Sequence, residues 1–130
     1  MNKQEIYKGF NNHFVEFIDD IQSIFPDDKD ISTTRESLLL IKKSNPKLII
    51  DVWYKSITLK YNNEINSGNI DFFIDKNYNE DLQLGAQQNN KALEIIEKLR
   101  MPIKNMGEEN KNKCFKYIQN LSKLSLLYFN

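Results

Sequence analysis

Apolar residues at the start of this chain recur at steps of three and four. Ile6, Phe10, Phe14, Phe17, Ile18, Ile21 and Phe25 fall on one side of a helical wheel, the mark of a helix with one wet face. The same spacing returns in Ala92, Ile95, Ile96 and Leu99, and again from Cys114 through Tyr117, Ile118, Leu121, Leu124 and Tyr128. Only four Gly and three Pro interrupt 130 residues, too few for a turn-rich sandwich or barrel. With 40% hydrophobic residues, eight Phe and six Tyr, the chain is too apolar to stay disordered. A chain of this length buries roughly two-thirds of its unfolded surface as one domain. The expectation is therefore all-α: a single domain over 1–130, a bundle of five to six helices.

The boundaries can be read from local signals. The first helix spans about Gln4 to Phe25 and stops at "FPDDKDIST", where Pro26 disfavours a helical conformation at Phe25. Thr33 and Glu36 have capping-box spacing and open a helix through "RESLLLIKK". In "SNPKLIIDVW", Asn45 reads as an N-cap and Pro46 as the first helical residue. Ile50, Trp53, Ile57, Tyr61 and Ile65 then form a stripe that Leu48, Val52 and Leu59 widen. A helix apolar on more than one side is central, so the rod starting near Asn45 is placed at the middle, closed by Gly68 as a left-handed C-cap. A hairpin across "NNEINSGN" is the competing reading, because "SITLKY" alternates and "NIDFFI" is β-prone. The stripe begins well upstream and carries both end signals, which favours the helix. "NIDFFIDKNY" becomes a short helix or turn and "NEDLQLGAQQNN" a polar loop. Pro102 interrupts the next helix, and the last helix runs from about Glu108 to Tyr128 with two carboxylates at its positive end.

The 18 basic and 18 acidic side chains cancel, leaving no global field toward nucleic acid or an anionic membrane. Their distribution is uneven. Residues 1–44 carry six basic and eight acidic side chains, residues 45–88 four and six, and residues 89–130 eight and four. A single cysteine cannot form an internal disulfide, which suits a reducing compartment. The N-terminus lacks an apolar core of signal-peptide length, and no run approaches the ~20 apolar residues of a span. A soluble intracellular protein with no membrane partner is expected. Asn occurs 17 times and Lys 16 times, against two Arg and two Ala. Helix physics does not ask for Asn; an A/T-rich genome supplies this bias.

The blocks "FVEFIDDIQSIFPDDKDI", "NPKLIIDVWYKSITLKYNNEINSGNIDFFIDKNY" and "CFKYIQNLSKLSLLY" resemble a small helical protein family of nucleocytoplasmic large DNA viruses, mimivirus-like and phycodnavirus-like. The resemblance covers most of the chain as a pattern of helical cores and includes no catalytic motif. It implies a setting, the host cytoplasm (virus factory) or the virion, and it transfers no functional residues.

Residues that carry chemistry are sparse. His13 is the single histidine, with Glu16 and Asp20 one and two turns on; catalytic zinc usually takes more nitrogen or sulfur than this. Cys114 falls on the apolar side of the last helix, as a small buried hydrophobe. Asp27, Asp28 and Asp30 lack the glycine and the distant glutamate of an EF-hand loop, and read as a solvated turn. Asp19 and Asp20 are adjacent and do not converge on a helix. No Gly-rich phosphate loop, nucleophile elbow or Cys-x-x-Cys occurs, so no catalytic residue, metal or cofactor is assigned.

Two surfaces remain as candidates. Trp53 and Tyr61 read as core, but the consecutive Phe72 and Phe73 cannot both face one core. Together with Tyr78 they are the candidate contacts for a protein partner, since aromatics dominate interface hot spots. Lys113, Lys116 and Lys123, on one face of the last helix with Asn120, and with Lys104 and Lys111 nearby, could touch phosphates. Arg, the better reader of guanine edges, is nearly absent, so such binding would be non-specific. The reading is a non-enzymatic protein-interaction module, an adaptor or virion component; the alternative is a nucleic-acid-associated factor using those lysines.

Overall fold

The computed structural model describes residues 2–74 and 91–130, and among these every regular element is helical. Asn2 opens α1 (Lys3–Ile24): its side chain accepts the Glu5 backbone N–H at 2.8 Å, a cap worth about 1 kcal/mol over alanine. Phe25 leaves helical geometry at φ −124°, one residue before Pro26. α2 (Lys29–Ser44) starts ahead of the Thr33–Glu36 box, which lies inside the helix. Asp28 takes the N-cap position instead, accepting the backbone N–H groups of Asp30 and Ile31 at 2.9 and 3.2 Å. A carboxylate there also meets the positive helix end, and the earlier start adds Ile31 to the buried face.

Asn45 is the second correction. It ends α2, its N–H bonded to the Ile41 carbonyl at 2.7 Å, and does not cap the following helix. Only residues 45–47 separate the helices, and α3 (Leu48–Trp53) has Lys47 before it with no side-chain cap. The rod continues through a π turn, Tyr54–Thr58, into α4 (Leu59–Ser67), with Tyr61 at a kink of φ −123° and ψ 26°. Ile50, Trp53, Ile57 and Ile65 are buried as the stripe requires, while Leu59 is 58% exposed. The wider π turn rotates the residues after it, so the expected second apolar side ends at Val52. Gly68 closes the rod at φ 85°, with its own N–H on the Ile65 carbonyl and the Asn69 N–H on Glu64, a Schellman pattern.

The alternative hairpin across this region is not formed. α5 is described over Asp71–Ile74; "NEDLQLGAQQNN" lies outside the described residues. α6 (Lys91–Lys98) breaks at Leu99, before α7 (Arg100–Lys104), and not at Pro102. Pro102 sits in the first turn of α7, where its missing N–H is not required. α8 (Glu108–Phe129) lies along α1 in the most extensive helix pairing of the fold. The all-α bundle expected from the sequence is the fold observed.

Trp53 stands at its centre, fully buried. Phe10 and Phe14 of α1 meet its ring edge-on, with centroids at 6.2 and 5.7 Å, and Phe73 lies at 6.3 Å. Its indole N–H donates to Ser122 Oγ of α8 at 3.1 Å, and Thr58 and Ser125 share a hydroxyl bond at 2.7 Å on the same seam. A buried ion pair supports the other side. Arg100 is fully buried; its Nε and Nη2 donate to the two Glu97 oxygens at 2.7 and 3.1 Å. Its Nη1 donates to the Phe73 carbonyl, and its guanidinium lies 4.6 Å from the Phe73 ring centre. Removing one member of such a pair strands the other charge, typically at about 3–5 kcal/mol. Glu97→Ala should therefore lower the urea midpoint by about that equivalent, while Glu97→Leu with Arg100→Met recovers most of it, as measured by equilibrium unfolding.

Candidate functional site

Of the aromatic trio, Phe73 is withdrawn as a partner contact. It is fully buried between Trp53 and Arg100, and a residue in that position cannot reach another molecule. Phe72 is half-buried with one face against Tyr61, the ring centres 4.8 Å apart. The pair divides as consecutive helical positions must, one inward and one covering a neighbour. Tyr78 lies outside the described residues. Lys113, Lys116 and Lys123 are all exposed on α8 with Asn120. Lys111 reaches back toward Glu108 at 4.0 Å.

The titratable residues of the α1–α8 seam come together more than their sequence spacing suggests. His13 is half-buried, its Nδ1 3.7 Å from Glu16 and its ring 4.8 Å from that of Tyr117. Tyr117 stacks on Phe17 at 5.1 Å and donates its hydroxyl to Asp20. Burial, then the hydrogen bond and charge of Asp20, push the Tyr117 phenol well above its ordinary range. Cys114, one turn earlier, points away to Met106, sulfur to sulfur at 3.6 Å. Burial first, and Asp20 second, push its thiol up to about 12. A thiol protonated at neutral pH is a poor nucleophile, and a tyrosine whose proton is held by a carboxylate is a poor acid. The seam acts as a latch between two helices.

The acidic turn after α1 takes part in a larger feature. Phe25, Asp28 and Asp30 face Glu94, Lys98, Met101 and Pro102 across a groove of about 690 Å³, with Glu97 and Asn105 completing the lining. That volume lies within the range of ligand-binding pockets. Phe25, Met101 and Pro102 are its apolar members, and Met101 is left 54% exposed although hydrophobic. Glu97 is neutralised by Arg100, and Asp28 is committed to capping α2. Asp30 and Glu94 stand exposed at the mouth, with Lys98 the one cation in the described lining. Nothing local in the sequence announces this groove. Its walls are far apart along the chain and meet because α2 packs on α6. No group of His, Cys, Asp or Glu among the described residues has the arrangement of a metal site, and no described helix is long and apolar enough to cross a membrane. No protein-family model, curated protein or solved structure matches the chain.

Protonation of Cys114 ties the stability of the fold to pH. A thiol whose folded pKa is raised holds its proton longer than the unfolded chain does. Its contribution to stability is complete below about 9.0 and is lost as pH rises toward about 12. Thermal midpoints should fall through that window, and Cys114→Ala should give a shallower fall. Ellman's reagent should label native Cys114 only on the timescale of unfolding.

Proposed function

We propose that this chain is a protein-interaction module, binding and not catalysing, whose groove between the α1–α2 turn and α6–α7 receives a basic segment of a partner. The observation that supports this is the pairing of apolar side chains with exposed carboxylates in one groove. Phe25, Met101 and Pro102 offer a place for an apolar anchor, and Asp30 and Glu94 offer charge to flanking Lys or Arg. An exposed methionine at a groove is an adaptable contact, and complementary charge at its rim sets orientation and association rate. The resemblance noted in the sequence extends this reading to an adaptor or virion component of a large DNA virus, in the cytoplasmic factory or the particle. Mass spectrometry of purified particles tests that setting. The exposed lysines of α8 support the alternative of phosphate contact more weakly, because Tyr117, the aromatic among them, is already occupied by Phe17 and His13.

The groove can be tested with a fluorescein-labelled amphipathic peptide carrying leucines at helical spacing and lysines between them. Asp30→Lys with Glu94→Lys should weaken its binding about tenfold or more, and Met101→Asp by a similar factor. A peptide with glutamates in place of the lysines should not bind. Unchanged affinity in the charge-reversed variant would remove the groove from consideration.

A further inference from the structure

The other end of α1 carries a second feature, independent of the groove. Tyr7, Lys8, Asn11, Asn12, Lys42 and Pro46 line a concavity of about 310 Å³ where α1 begins and α2 gives way to α3. Lys47 holds its ammonium 5.9 Å from the centre of the Tyr7 ring, and Lys3 sits 5.2 Å from that of Tyr128. Tyr7 and Tyr128 meet edge to face at 6.3 Å. Four lysines thus surround two half-buried tyrosines, and among the described residues none of the four has a carboxylate partner. Glu5, the nearest acid along α1, accepts from Asn2 instead. The wall is built firmly: Asn11 is buried, and its side-chain amide donates to the Pro46 carbonyl at 2.8 Å, fastening the α2–α3 turn to α1.

We propose that this end of the bundle binds single-stranded nucleic acid. Lysines act as point charges for phosphates, and tyrosine faces are platforms on which any unpaired base can stack. Neither of the chain's two arginines lines this concavity, so the site grips backbone and base faces without reading base edges. A base paired in a duplex does not offer its face, and the concavity has no protruding helix or ribbon to enter a groove. The ligand is therefore a flexible strand, its phosphates held at Lys8, Lys42 and Lys47 and a base taking the place of the Lys47 ammonium over the Tyr7 ring.

The test is fluorescence anisotropy of a short labelled oligothymidylate with the full chain at low salt. Affinity should fall with salt at a log–log slope of about −2, the value for three phosphate contacts to a single strand. Reversing Lys8, Lys42 and Lys47 to Glu should weaken binding about tenfold or more. Reversing Lys113, Lys116 and Lys123 changes the net charge equally and should leave affinity within about twofold. Tyr7→Phe should retain binding, and Tyr7→Leu, with its fold checked by circular dichroism, should lose about tenfold. Inorganic polyphosphate and blunt duplex should compete poorly. Absence of binding at low salt, equal loss in both lysine triples, or equal competition by polyphosphate would each overturn the proposal.

Discussion

The indole of Trp53 sets the arrangement of the bundle. A large ring in the middle of an apolar core stabilises by burial, but its N–H cannot be left without an acceptor there. Ser122 supplies the acceptor, and that bond ties the central rod to one register of α8. The rings around it come from elsewhere: Phe10 and Phe14 one turn apart on α1, and Phe73 from α5. Small hydroxylated residues on α8 permit close approach, and Ser125 returns its own hydroxyl to the Ser122 carbonyl. One buried side chain thereby joins α3 to α8 by its hydrogen bond and to α1 and α5 by ring contact.

Around this centre the chain places its buried charge and its latches. Arg100 joins α7 to α5 through the Phe73 carbonyl while Glu97 offsets its charge from the preceding helix. Tyr117 joins α8 to α1 through Asp20, and Arg35 joins α2 to α1 through Asp19. The pattern leaves a concavity at each end of α1, one with acidic and apolar lining and one with lysines and Tyr7. The 1.5 Å rise per residue puts roughly 27 Å between Tyr7 and Phe25. A single helix thus fixes the distance between the two concavities.

Much of the fold was legible because its helices announce themselves. The phenylalanine ladder of α1, the two carboxylates opening α8 and Gly68 closing the rod are local signals, and each is observed. Errors arose where two local signals compete within a few residues. Asp28 and Thr33 are both plausible caps, and the carboxylate that starts the helix earlier buries more. Asn45 is by type a favoured N-cap, but it terminates α2, and no side chain caps α3. Glu97 and Arg100 share a side with Leu93, Ile96 and Ile103, the one sequence sign that these charges are buried. Neither concavity was legible, since each depends on which helices pair. That choice rests on side-chain shape and long-range packing, and no single segment carries it.

The π turn changes the direction in which the central rod faces. An added residue in a helix advances the phase of everything after it by about a third of a turn. Before Tyr54 the rod directs its bulk toward the phenylalanines of α1; after it, Thr58 is turned inward onto the serines of α8 while Leu59 swings out. A uniform helix would keep a single azimuth and serve one neighbour along its length. The widened coil behaves as a built-in gearbox, letting one continuous segment mesh with differently aimed neighbours in succession.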